Sequence, residues 1–256
     1  STLMRSSAAS DVYKRQGSGK STLLSLLKPE IAPAGTRSGE LRVLGEPVAD
    51  MDVRASAERV GYVFQDPENQ IVCETVWHEM AFGLENLGLA RDEMRRRVAE
   101  TSYFFGLEDW LHRDTDTLSG GRKQLLSLAA VLALRPRVLL LDEPTSGLDY
   151  RECMTVMETV RTMAERGCAV IMVCHDMEVV SDFAERIVVM ADGRILDRGR
   201  THELFSNIEL MRRAYVEPPQ VIELSRRLAS SVSPAFAQVS EVTDVVRITK
   251  EMVHRG

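Results

Sequence analysis

The chain has 256 residues, 44% of them hydrophobic, which is enough for a sizeable core and excludes wholesale disorder. With 32 Lys and Arg against 38 Asp and Glu, its formal net charge of −6 argues against a nucleic-acid binder, whose affinity rests on cations that neutralise phosphates. No apolar run approaches the roughly 20 residues of a membrane helix, and Cys73, Cys153, Cys168 and Cys174 lack the spacing of a metal site or disulfide framework, so the chain is read as cytosolic and not membrane-spanning.

Residues 1–16 show no helical period, no apolar run suited to a strand and no signal-peptide core. The run from Ser6 to Gln16 resembles a translated sequencing adapter, so residues 1–16 are read as a non-native leader. Leu23, Leu24, Leu26 and Leu27 then suit a short helix ended by Pro29, and residues 40–44 alternate like a strand that stops at Gly45. Residues 60–64 predict a second strand, followed by a turn-rich stretch, and residues 75–87 and 92–105 carry helical periods.

Ser119 is a candidate N-cap for a buried helix over 124–134. Residues 138–141 form an unbroken apolar run ending in two acids, the pattern of a parallel strand buried on both faces. An amphipathic helix is expected over 152–165, a buried strand over 169–173, and a hairpin from 186 to 197 turning at Asp192-Gly193. This alternation predicts an α/β fold with a mostly parallel sheet and one antiparallel excursion. Pro218-Pro219 marks a boundary, and residues 218–256 read as a helical tail or linker with a break between Ser230 and Pro234.

The chemistry begins at Gly17-Ser18-Gly19-Lys20-Ser21-Thr22. Glycine amides can curl around a phosphate, Lys20 can reach the β- and γ-phosphates of a nucleotide, and Ser21 can hold Mg²⁺. The full phosphate-loop pattern requires a glycine at position 14, where Lys14 stands, and a buried strand before it, and the sequence is read as having no strand there. Farther on, the run Val138-Leu139-Leu140-Leu141 carries Asp142 to a strand end, where it can bind the Mg²⁺ hydration shell. Glu143 follows, placed to accept a proton from an attacking water.

Leu118-Ser119-Gly120-Gly121-Arg122-Lys123-Gln124 resembles the signature motif of ABC transporter ATPases. That resemblance implies a P-loop NTPase fold of the ABC type over residues 17–217, with a helical subdomain over about 74–134 that carries the motif. It makes Gln65 similar to the Q-loop glutamine, which reaches Mg²⁺ and the reacting water. Ser146-Gly147-Leu148-Asp149 is then similar to the D-loop and His175 to the switch histidine. The resemblance implies ATP and Mg²⁺ as cofactors, and a second ATPase subunit, identical or paralogous, whose nucleotide is covered by Ser119, Gly120 and Gly121. Arg122 stands where the family usually has Gln.

A narrower resemblance rests on Val63-Phe64-Gln65-Asp66-Pro67-Glu68-Asn69-Gln70-Ile71-Val72 and on the run from Trp77 to Gly88. Both are similar to the ATPases of energy-coupling factor (ECF) transporters, importers of vitamins and of cobalt or nickel. It implies a peripheral subunit on the cytoplasmic face of the membrane, working with a transmembrane coupling protein and a substrate-binding membrane subunit. Trp77 and Phe82 are either contacts for such a partner or core aromatics. Two other readings stand beside this one: a soluble ABC-type ATPase that does not serve transport, and a truncated chain that serves as a binding module. Because of Lys14 and the leader, a version with a complete phosphate loop is expected to turn over ATP much faster than the chain as written. A steady-state phosphate-release assay on the two compares them directly.

Overall fold

The computed structural model describes residues 10–13, 18–239 and 242–255. Its elements in chain order are β1 (Ser10–Tyr13), α1 (Lys20–Ser25), β2 (Arg42–Val43), β3 (Glu46–Pro47), α2 (Val53–Arg59), β4 (Val60–Val63), α3 (Val76–Asn86), α4 (Arg91–Phe105) and α5 (Gly120–Ala133). There follow β5 (Val138–Asp142), α6 (Tyr150–Glu165), β6 (Ala169–Val173), α7 (Met177–Phe183), β7 (Arg186–Ala191), β8 (Arg194–Arg200), α8 (Thr201–Phe205), α9 (Ile208–Ala214), α10 (Gln220–Ser231) and α11 (Val242–Arg255). These residues fall into two compact units, one of residues 21–173 and one of residues 10–13 and 18–20 with 174–239 and 242–255.

In the first unit β4, β5 and β6 form a parallel ladder, with Tyr62 opposite Leu140 and Leu140 opposite Ile171. Every residue of β4 and β5 is buried, as expected of parallel strands covered on both faces. Helices α3, α4 and α5 pack on one another. Ser119 caps α5 by accepting from Arg122 N. Asp149 caps α6 in a reciprocal box, accepting from Glu152 N while Glu152 accepts from Asp149 N.

In the second unit β1 runs parallel to β7, with Val12 opposite Val188, and β7 turns through Asp192 and Gly193 into antiparallel β8. Both turn residues have positive φ, 49° and 73°, as a two-residue hairpin loop with the twist of its strands demands. Beyond α9, Phe236, Val239 and Ile248 form a small core with Leu228, Ala229 and Val245 against them.

Three expectations change. A strand does precede the phosphate loop: Ser10–Tyr13 pairs with 186–189 of β7, although four residues inside a polar stretch give no local pattern to read. The hydrogen-bond ladder, rather than periodicity, defines it. The remainder of the leader, 1–9 and 14–16, lies outside the described residues. The strand expected over 40–44 shortens to Arg42–Val43, because Leu44 takes φ 53° and begins a tight turn to β3. Helix α1 ends at Ser25, and Pro29 instead opens a 3₁₀ turn, where its missing N–H costs nothing.

The cysteines behave as small side chains. No disulfide joins Cys73, Cys153, Cys168 or Cys174, and burial pushes the Cys168 thiol up to about 11. Leu140 is fully buried at the centre of the parallel ladder of the first unit. Leu140→Ala is expected to destabilise the chain by about 2–5 kcal/mol, measured as a lower midpoint in urea unfolding.

Candidate functional site: two carboxylates and their donors

Strand β5 is apolar up to Leu141 and ends on Asp142, followed by Glu143. Both carboxylates are almost out of solvent, Asp142 at 7% and Glu143 at 3% exposure. Ser21 Oγ donates to Asp142 Oδ1 at 3.0 Å, and Tyr62 OH donates to Oδ2 at 3.4 Å. Gln65 Nε2 donates to Glu143 Oε2 at 3.0 Å, while Glu143 N donates to Val173 O of β6 at 2.9 Å.

Glu143 has φ 52°, a left-handed backbone geometry that costs a non-glycine residue about 1–3 kcal/mol and that surrounding contacts must hold. The ladder hydrogen bond to Val173 and the Gln65 amide supply that hold. Tyr62 reaches Asp142 because the residue opposite it, Leu140, lies two positions before Asp142 and so on the same face of β5. Burial first, and the Asp142 charge second, push the Tyr62 hydroxyl well above its ordinary value, so it stays protonated and acts as a donor.

The loop before Ser21 belongs to the other unit. Lys20 Nζ donates to Ser18 Oγ at 2.6 Å, and both side chains are buried, Lys20 at 3% exposure. Gly19 has φ 84°, a conformation that glycine adopts without strain. Gly17 and Lys14 lie outside the described residues. Thr22 is exposed, and its carbonyl accepts from Ser25 Oγ and Leu26 N inside the first helical turn. His175 is exposed just past β6, beside Asp176, whose carboxylate caps α7 through Glu178 N and Val179 N.

The predicted residues Ser21, Gln65, Asp142 and Glu143 therefore meet in two hydrogen-bonded pairs. Ser119, Gly120 and Gly121 stand at the start of α5, with Ser119 and Gly120 exposed. Gly121 is buried against the Glu152 carboxylate, which occupies the space that a Cβ would need. Trp77 is half-buried on α3, whereas Phe82 is 46% exposed on the same helix.

Sequence reasoning passed over Tyr62, the backbone of Glu143 and the Gly121–Glu152 contact. Strand parity with Asp142 would have flagged Tyr62; the other two carry no sequence signal.

The hydroxyl and carboxylate oxygens of Ser21 and Asp142 are hard donors of the kind Mg²⁺ takes. Among the described residues no cluster of three or more His, Cys, Asp or Glu is placed to hold a metal. An ion here would rely on few protein oxygens and on those of a bound phosphate, which suits Mg²⁺ in a nucleotide site.

A family model described as ABC transporter matches residues 15–146. The chain belongs to the ABC transporter family. The matched stretch holds Lys20, Ser21, Gln65, Asp142 and Glu143, together with Ser119, Gly120 and Gly121, and ends before His175. The chain is 36% identical to the energy-coupling factor transporter ATP-binding protein EcfA2 of Methanospirillum hungatei JF-1, over 93% of this chain and 60% of that protein. It aligns with the structure of cbiO1 from Clostridium perfringens, part of the ABC transporter complex cbiONQ, with TM-score 0.71 and 30% identity over 88% and 90% of the two chains. A dimeric ATP-binding cassette in a post-hydrolysis state, bound to ADP and Pi, aligns with TM-score 0.70 and 26% identity over 78% and 88%. Three curated relatives, 36–40% identical, are spanned over 66, 60 and 39% of their own lengths. No helix among the described residues of this ABC transporter chain is long and apolar enough to cross a membrane.

Lys20 carries the one ammonium group of the phosphate-loop motif. Lys20→Ala is expected to weaken ATP binding about 10- to 100-fold, the loss of a charge-assisted contact, as read by calorimetric titration.

Proposed function

We propose that this chain is the ATP-hydrolysing subunit of an ECF-type importer. The observation that carries the reading is the pair of contacts Ser21–Asp142 and Gln65–Glu143 in a member of the ABC transporter family. The likeness to EcfA2 and to cbiO1 supports the ECF assignment.

In this reading Lys20 and the amides of Gly17, Ser18 and Gly19 neutralise the phosphates of ATP. Ser21 and Asp142, with Gln65, hold Mg²⁺, which when bound draws negative charge off the phosphate oxygens. Glu143 accepts the proton of a water as its oxygen attacks the γ-phosphorus and ADP departs with the electrons of the broken P–O bond. The Gln65 amide and the left-handed backbone fix the Glu143 carboxylate for that transfer. His175 and Thr22 are assigned to the same reaction, His175 as the switch histidine and Thr22 as part of the phosphate-loop motif.

Ser119 and Gly120 are exposed at a helix start with Gly121 buried beside them, and the three are assigned to the nucleotide of a second ATPase subunit, identical or paralogous. The post-hydrolysis dimer with ADP and Pi supports an assembly of this kind. Phe82 and Trp77 on α3 meet a transmembrane coupling protein, which works with a substrate-binding membrane subunit and keeps the ATPase at the cytoplasmic face of the membrane. Nucleic acid is not a partner in this reading, in line with the net charge of −6.

Glu143→Gln tests the assignment of the base. It is expected to lower ATP turnover about 10²- to 10⁴-fold with ATP affinity retained, since the carboxamide keeps the shape but loses the proton acceptor. Normal turnover by this variant in a phosphate-release assay would move the base elsewhere.

A further inference from the structure

Trp110 ends a 3₁₀ turn, Glu108–Trp110, that is fastened at both ends. Before it, buried Leu107 donates its N–H to Ser102 O of α4 at 2.8 Å, and Trp110 N donates to Leu107 O at 3.0 Å. After it, Trp77 N at the start of α3 donates to Leu111 O at 2.9 Å, and Val76 N donates to Arg113 O at 3.2 Å. The backbone that carries Trp110 is thus tied to α3 and α4.

Two guanidinium groups lie over that ring, Arg122 at 3.8 Å from its centroid and Arg113 at 4.6 Å. Arg122 belongs to the first turn of α5, which carries no acidic residue. A cation there opposes the helix dipole, and the ring face attracts it at that position. The next residue, Lys123, also enters this turn as a cation and pairs with Glu68 at 2.5 Å. Arg122 N donates to Ser119 Oγ, so the residue stacked on Trp110 is hydrogen-bonded to the exposed cap.

We propose that Trp110, by stacking on Arg122, is a positioning residue that sets the turn of Ser119, Gly120 and Gly121 at the start of α5 for the nucleotide held by a second copy of this chain. The inference rests on the function proposed above and adds to it a residue outside the phosphate-binding motifs. It also gives Arg122, which stands where the resemblance leads one to expect Gln, a role that Gln could not fill, because an amide carries no charge for the ring.

The test is ATP-dependent self-association of the full chain, followed by light scattering in the Glu143→Gln background, with ATP affinity of the dilute monomer measured alongside. Trp110→Ala and Arg122→Ala are each expected to weaken association about 3- to 30-fold, with monomer affinity for ATP unchanged. The double variant should be no weaker than either single one, since both remove the same contact. Trp110→Phe and Arg122→Lys, which keep a ring and a cation, should recover most of the loss. Association equal to the parent in both alanine variants, or fully additive losses, would overturn the proposal while leaving the function intact. A parent chain that binds ATP but does not associate would overturn the paired arrangement and the proposal with it.

Discussion

Asp142 and Glu143 are carboxylates held out of water, and that constraint dictates who their neighbours are. A buried charge without donors is strongly disfavoured. Ser21 and Tyr62 therefore share the two oxygens of Asp142, and Gln65 donates to the Glu143 carboxylate. The apolar strand that carries these acids makes the constraint unavoidable. Val138–Asp142 is buried along its whole length, so its end delivers charge into a place with little solvent. Proton transfer and cation binding both gain from such a setting, because charges interact more strongly where water is scarce.

The same unit shows a second layer of polar ties around α5. Glu68 pairs with Lys123, and Gln70 bridges Phe64 N and Ser127 O, so the stretch after Gln65 is fastened to the helix that begins at Gly120. Buried Glu79 on α3 accepts from Val72 N and Cys73 N and closes the same stretch from the other side. A shift of Gln65 would therefore be felt along α5 and at the start of α3, through hydrogen bonds that are individually modest. Gln124 Nε2 and Ser127 Oγ are buried on α5 without a hydrogen-bond partner.

Much of this was legible in the residues. The apolar run before Asp142, the cap at Ser119 and the Asp192-Gly193 turn each declare themselves locally, because burial, capping and positive φ all demand particular residue types. The pairing of Gln65 with Glu143 was foreshadowed by family resemblance rather than by spacing, since the two are far apart in the chain and join only through the β4–β5 ladder. β1 escaped because four residues held by a neighbour's hydrogen bonds leave no periodic trace. Trp110 escaped for a related reason. Its significance lies in what comes to rest on it, and nothing in Glu-Asp-Trp announces a guanidinium from a later helix.

Strand β8 ends the β1–β7–β8 ladder and reads Arg-Ile-Leu-Asp-Arg-Gly-Arg, mostly exposed and strongly charged. An outer strand with unsatisfied backbone groups is a template for unwanted pairing between molecules. Four charged side chains in seven residues make such pairing repulsive, and the register shift near Val189 and Met190 adds irregularity to the hairpin. The rim of this ladder thus discourages fibre-like growth at high concentration.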